Sequence, residues 1–290
     1  MPHFVAAEQY GFPLSDQSPN AVSARAGHLC PFQRSRCNKP GGVCSITDGV
    51  SYPITCPNRF KEDDLIYGEA GYAVFGTRTD LVALKEIPFL EAHDQEGAAP
   101  GRIDNVLAHY ANGELKDWCA LEVQAVYFSG AGMEAEMTAY TRFGTLPSPQ
   151  TPLRDGRGRA LTRRPDYRSS APKRLLPQLE IKVPTLRRWG KKMCVAVDQP
   201  FFNWMPRMEP ANHLSNADVI WLTFRLDTSV TPYKLVRGEI LPTTLEESRQ
   251  GLIAATIPPK PQVEVRIEQI ISRGLAGHSP EVNKIQWRDP

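Results

Sequence analysis

Three side chains in the first half of the chain have types and a spacing that suit chemistry on a phosphoester. Asp104 precedes Glu122 by eighteen residues, and Gln124 follows Glu122 by two, within the run WCALEVQAVYFSG. If that run is a strand, Glu122 and Gln124 point to one side, because side chains alternate faces. An Asp on one strand, a hairpin, then Glu-x-Gln on the next strand would gather three oxygen-bearing groups at one sheet edge. Two close carboxylates hold a hard divalent cation, and magnesium needs only one or two of them besides water and phosphate. Such an ion activates water and neutralises charge at a scissile phosphate. The blander reading places Glu122 and Gln124 on the wet face of an ordinary edge strand.

A second constellation is made of cysteines. Cys30, Cys37, Cys44 and Cys56 fall in one short region with the spacing C-x6-C-x6-C-x11-C. Cys119 and Cys194 sit alone in apolar surroundings and read as buried core thiols. The first twenty residues lack the basic start and apolar run of a secretory signal, so a cytoplasmic protein is expected. In that setting four clustered cysteines argue for a metal rather than disulfides. Four thiolates complete a tetrahedral shell around zinc or iron, and a closed shell is structural, since a catalytic metal needs an open position. Pro31, Pro40, Gly41, Gly42 and Pro57 supply the turns that convergence requires. His28 lies beside Cys30, but four cysteines already suffice.

The charge distribution adds a partner. Residues 154–192 hold thirteen Lys or Arg against three acids, a net of +10, which leaves −8 for the rest of a chain whose total is +2. One basic segment on a mildly acidic body suggests a polyanion-binding surface, with a solvated loop as the plainer alternative. Arg163, Arg164, Arg187, Arg188, Lys191 and Lys192 are the expected DNA contacts: paired cations suit backbone phosphates, and arginine also reads guanine edges.

The elements that must position these residues can be read more coarsely. A length of 290 residues allows one large α/β domain or a main domain with a satellite. No apolar stretch is long enough to span a membrane. Residues 1–29 read as irregular with at most one short helix. FKEDDLIYGEAGYAVFG and TDLVALKEIPFLEA read as mixed helix and strand, and 93–101 as a loop. GRIDNVLAHY reads as the strand carrying Asp104, and ANGELKD as the turn into the Glu122 strand. Residues 145–172 read as a long exposed loop. LRRWGKKMCVAVDQPFFNWM suggests a helix, or a helix with a following strand, DVIWLTFRLD a buried strand, and VEVRIEQIISRGL a strand passing into a helix.

Several of these stretches, in the same order, look like one known family. They are CPF at Cys30, Cys37, GVC ending at Cys44, CPNR at Cys56, IDN at Asp104, and LEVQ followed by Phe128 and Gly130. DVIWLTFRLD and VEVRIEQII are looser parts of the match. The chain thus resembles the NotI family of restriction endonucleases, within the PD-(D/E)xK nuclease superfamily, from about residue 28 to 275. The resemblance implies an α/β fold: a PD-(D/E)xK restriction-endonuclease-like core, with a mixed central sheet flanked by helices. It also implies a small four-cysteine module over 1–62, followed by a nuclease domain over 63–290 whose 145–192 region is basic. The implied activity is that of a homodimeric, type II-like, magnesium-dependent enzyme cutting double-stranded DNA at a palindromic site, in restriction or defence. Catalysis would rest on Asp104, Glu122 and Gln124, with Asp104 and Glu122 holding the magnesium. The cysteine site would hold iron as in rubredoxin, with zinc as the alternative. Nucleases of this superfamily usually carry lysine at the third position, whereas LEVQ has glutamine, so strong metal dependence is expected.

Two rivals remain open in the sequence. One is a non-catalytic DNA-binding protein in which the cysteine module and basic segment bind and the acids are structural. The other is a nuclease using Asp166, Glu180 and Lys182, because RPDYRSSAPKRLLPQLEIKVP spells the superfamily motif literally. Pro177 and Pro184 argue against a central strand there, so Lys182 reads more simply as a cation facing phosphate. Glu86 or Glu91 could add a further carboxylate, with a solvated helix face as the plainer reading.

Overall fold

The structure is a computed structural model and describes residues 3–90, 101–129, 133–152, 154, 157–160, 164–255 and 258–275. The N-terminal part contains β1 (Val5–Gln9), β2 (Phe12–Pro13), α1 (Pro19–Gly27), β3 (Leu29–Cys30), β4 (Ser35–Arg36) and β5 (Val43–Thr47). Next come α2 (Leu65–Phe75), β6 (Leu81–Leu90), β7 (Gly101–Ala111), β8 (Glu114–Gln124), β9 (Phe128–Ser129) and α3 (Glu134–Phe143). They are followed by β10 (Arg164–Pro165), α4 (Tyr167–Ser170), a π-type turn over Ala171–Leu175, and α5 (Leu176–Arg188). The chain continues with β11 (Met193–Asp198), α6 (Gln199–Trp204), β12 (Val219–Asp227), β13 (Lys234–Thr243), α7 (Leu245–Ile253) and α8 (Lys260–Leu275).

A six-stranded mixed sheet, ordered β13-β12-β11-β8-β7-β6, organises the core. β11 runs parallel to both β8 and β12, while β7–β8, β6–β7 and β12–β13 are antiparallel. The sequence explains the centre: all six residues of MCVAVD are buried, as a strand covered on both faces requires. The β7–β8 hairpin closes on Asn112 and Gly113, both with positive φ (54° and 78°), the pairing that a two-residue turn between twisted strands demands. Alternation along the strands splits the core into two layers. Ala120, Val195, Val197 and Trp221 meet Leu179, Val183 and Leu186 of α5 on one face. Cys119, Leu121, Cys194 and Ala196 meet Ile66 and Ala70 of α2 on the other. Helices on both faces of a sheet make a three-layer arrangement.

The N-terminal strands are more regular than the sequence suggests. β1 is buried throughout and lies between β2 and β5, where an irregular segment was expected. Its Ala6 joins a cluster with Val43 and Ile46 of β5 and Met137 of α3. Buried Arg59 ties this part to the sheet: Nε donates to Glu8 at 3.1 Å, NH1 to Glu62 at 2.8 Å, and NH2 to the carbonyl of Tyr233 at 2.9 Å. The backbone N–H of Ile54 donates to Asp198 at 2.5 Å, at the end of β11. Residues Met1–Ala254 form one compact unit, and Ala255–Pro290 form another.

Other expectations need correction. VEVRIEQII is helical throughout, in α8, because Val263, Ile267, Ile270 and Ile271 also fit helical spacing, and a helix satisfies its own backbone without a neighbouring strand. LEIK lies in α5, where Pro177 sits in the first turn at little cost. Pro184 lies inside that helix, whose buried Leu179, Val183 and Leu186 offset the missing hydrogen bond. The proposed loop over 145–172 contains β10 and α4. Residues 93–100 of the expected loop, together with Glu91, Gly130 and Arg163, lie outside the described residues.

Candidate active site

β8 delivers Glu122 and Gln124 to the α5 side of the sheet, two residues apart on one face, as the alternation predicts. Both are buried, Glu122 at 7% exposure. Asp104 comes from β7, one residue before the Asn105–Leu121 pair, and its side chain is 51% exposed. The antiparallel register thus sets Asp104 opposite Glu122. Two carboxylates therefore meet across adjacent strands inside the sheet, not at the sheet edge that the sequence suggested, because β8 is paired on both sides; Asp104 alone is open to solvent.

A third charged group completes the cluster. Lys182 on α5 is 2% exposed, yet its Nζ donates to Glu122 Oε2 at 2.9 Å and lies 3.7 Å from Asp104 Oδ1. Burial pushes the Glu122 carboxyl up to about 7; Lys182 pulls it down, and the neighbouring Asp104 charge raises it. Gln124 Nε2 donates to the carbonyl of Ala125 at 2.6 Å, which holds the amide plane and leaves Oε1 as an acceptor.

The literal motif falls apart. Asp166 caps α4, accepting the N–H of Ser169 at 3.0 Å. Glu180 is half-exposed and pairs with Arg249 at 3.1 Å. Of that trio only Lys182 reaches the acids. The signal for it was present in the sequence: Leu179, Lys182, Val183 and Leu186 follow i, i+3, i+4, i+7, so the lysine occupies a core-facing position of a helix. Glu86 lies on strand β6, not on a helix, and pairs with Arg102 at 3.6 Å.

Four of the expected DNA contacts are placed elsewhere. Arg187, Arg188, Lys191 and Lys192 surround the turn from α5 into β11, near Asp117 and thus toward the opposite end of β8 from Glu122. Arg187 clamps Asp218 at 2.9 and 2.5 Å and reaches Glu246 at 3.4 Å. Lys191 pairs with Asp117 at 2.5 Å, and Lys192 donates to the carbonyls of Ser215 and Ala217. A different basic group borders the C-terminal end of β8. Arg164 is in β10, which pairs with β9. Arg168 and Lys173 are exposed on the segment whose Asp166 N–H and Ser170 hydroxyl bond the backbone of Tyr127. Arg174 lies over the Tyr127 ring, 3.6 Å from its centroid.

The four N-terminal cysteines share one neighbourhood with all thiols free. Cys30 ends the first strand of the β3–β4 hairpin, and the Cys44 carbonyl accepts the N–H groups of Thr55 (2.9 Å) and Cys56 (3.2 Å). Burial raises the Cys30 and Cys44 thiols, and nearby cysteines add to both shifts: Cys56 and Cys37 for Cys30, Cys56 for Cys44. Among the described residues, no group of three or more His, Cys, Asp and Glu is arranged to hold a metal ion. His28 instead stacks on Tyr10, with 5.5 Å between centroids.

A family model, restriction endonuclease NotI, matches residues 16–235 of the 290, from the cysteine region through the acidic pair to the start of β13. The chain belongs to the NotI restriction endonuclease family. Membership makes it an endodeoxyribonuclease by family and DNA its class of substrate. No curated protein matches the chain. Among the described residues, no helix is long and apolar enough to cross a membrane.

Proposed function

We propose that this chain is a type II-like, sequence-specific endonuclease that hydrolyses double-stranded DNA with magnesium on a PD-(D/E)xK-type core. The observation that carries the reading is the meeting of Asp104 and Glu122 from adjacent strands around Lys182, with Asp104 open to solvent, in a member of this family. These two carboxylates would hold the ion, since magnesium asks for few protein ligands. A bound magnesium ion supplies charge neutralisation at the phosphate and a more acidic water. Gln124, with its amide plane held by Ala125, accepts a proton of the attacking water in a hydrogen bond and so orients it. In the reaction a water oxygen bonds to phosphorus, one P–O ester bond breaks, and the proton shed by water ends on the departing oxygen.

Arg164, Arg168, Lys173 and Arg174 are the cations that would track the DNA backbone beside the acids. A palindromic target would be met by a two-fold homodimer. Cys30, Cys37, Cys44 and Cys56 match a four-thiolate iron or zinc site in number and in their free state, and such a site would brace the loop-rich N-terminal part. The role would be restriction or defence against foreign DNA in the cytoplasm.

The test is digestion of a long, sequence-diverse, unmethylated duplex by the purified chain, with Mg²⁺ and with EDTA. Discrete fragments that form only with Mg²⁺ are expected, and their ends define the target. Intact DNA that shifts in mobility under both conditions would replace this reading with the binding protein.

A further inference from the structure

We propose that Lys182, carried into the site by α5, is the catalytic cation that the strand position of Gln124 lacks. The inference rests on the endonuclease reading above and deepens it at one residue. A lysine this buried is rare unless paired, and Lys182 faces two carboxylates rather than one. Lys182 shares the buried stripe of α5 with Leu179, Val183 and Leu186, and its ammonium is held between the two carboxylates. The ammonium has three donors; Glu122 takes one, and others can meet an oxygen of a phosphate lying against Asp104 and Glu122. Charge grows on those oxygens as water adds to phosphorus. A preorganised cation in a water-poor site favours that state over the starting one. Gln124 contributes a dipole but no charge. The helix thus supplies, from sixty residues beyond Glu122, what its own strand does not.

The geometry also makes Lys182 a competitor. Its Nζ bonds the same Glu122 oxygen that a divalent ion would use. Removing the ammonium should therefore ease ion binding while slowing cleavage. A lysine that only holds the fold would not split the two in this way.

The experiment uses the full chain with its cysteine metal in place, freed of other divalent ions. Wild type, Lys182→Met and Lys182→Met/Gln124→Lys are compared in single-turnover cleavage of the duplex that wild type cuts, and in Mn²⁺ titration without DNA. Lys182→Met should cleave at least about 100-fold more slowly, in the range found when a preorganised donor is removed. It should bind Mn²⁺ several-fold more tightly, and Gln124→Lys, which returns the charge to the strand, should restore at least about tenfold of the rate. If Lys182→Met lacks a cooperative melting transition, Lys182→Gln takes its place in every comparison. Cleavage within about threefold of wild type overturns the proposal, as does a loss of cleavage and Mn²⁺ binding together that Gln124→Lys does not rescue. A wild-type chain that leaves DNA intact overturns the endonuclease reading itself, and Lys182 with it.

Discussion

Lys182 and the turn formed by Arg187 to Lys192 lie within ten residues of each other in one basic segment, yet they meet different fates. Lys182 is buried against two acids at the C-terminal half of β8. Arg187, Lys191 and Lys192 are engaged by Asp218, Asp117 and backbone carbonyls at the far end of the same sheet. A third group, Arg168, Lys173 and Arg174, lies earlier in the chain but returns to the Tyr127 end of β8. Charge density along a sequence therefore does not locate a polyanion surface. What matters is which end of the sheet each turn of helix reaches, and whether local carboxylates already occupy the cation.

The largest expected effect separates the two exposed basic groups. Replacing Arg168, Lys173 and Arg174 together with alanine should weaken DNA binding at least about tenfold near physiological salt. It should also flatten the dependence of log affinity on log salt by up to about 2.7, near 0.9 for each phosphate no longer neutralised. An unchanged salt slope would remove these residues from the interface.

A smaller effect concerns buried carboxyls and contrasts the site with the scaffold. Burial raises both Glu122 and Asp198 to about 7, from ordinary values of 4.5 and 3.8; at Asp198 the N–H groups of Ile54 and Phe201 partly oppose the rise. Between those limits the native chain holds protons that the unfolded chain has released. Stability in EDTA should therefore fall as pH rises from about 4 to 7 and then level. Asp198→Asn and Glu122→Gln should each flatten that slope in melting measurements. Added Mg²⁺ should flatten the Glu122 share alone, because an ion favours the charged carboxylate. A melting temperature that climbs over this range would contradict the raised values.

The smallest effect is expected at the turn. Arg187→Ala, Lys191→Ala and Lys192→Ala should each change DNA affinity less than about threefold, since these cations are already engaged. Each should cost no more than about 1 kcal/mol of stability, as part-exposed pairs do. A tenfold drop in affinity in any of them would return the interface to the sequence-based assignment.

Local pattern made much of this protein legible. Alternation placed Glu122 and Gln124 on one face, Asn112–Gly113 marked the hairpin, and MCVAVD and DVIWLTFRLD carried the apolar content of central strands. Cysteine spacing marked one thiol neighbourhood, and the order of these motifs pointed to the family that the chain belongs to. These features depend on neighbours within a few residues, where strand and helix periods act. Long-range placement was decided by tertiary structure. Lys182 and Glu122 are sixty residues apart, and only the packing of α5 on β8 and β11 brings them to 2.9 Å. The literal motif misled because it ignored that placement: Asp166 became a helix cap, Glu180 faced Arg249, and one residue of the three turned inward. A side chain's chemistry is written in its type, but its electrostatic partners are set by how helices and strands pack, and no local period encodes that.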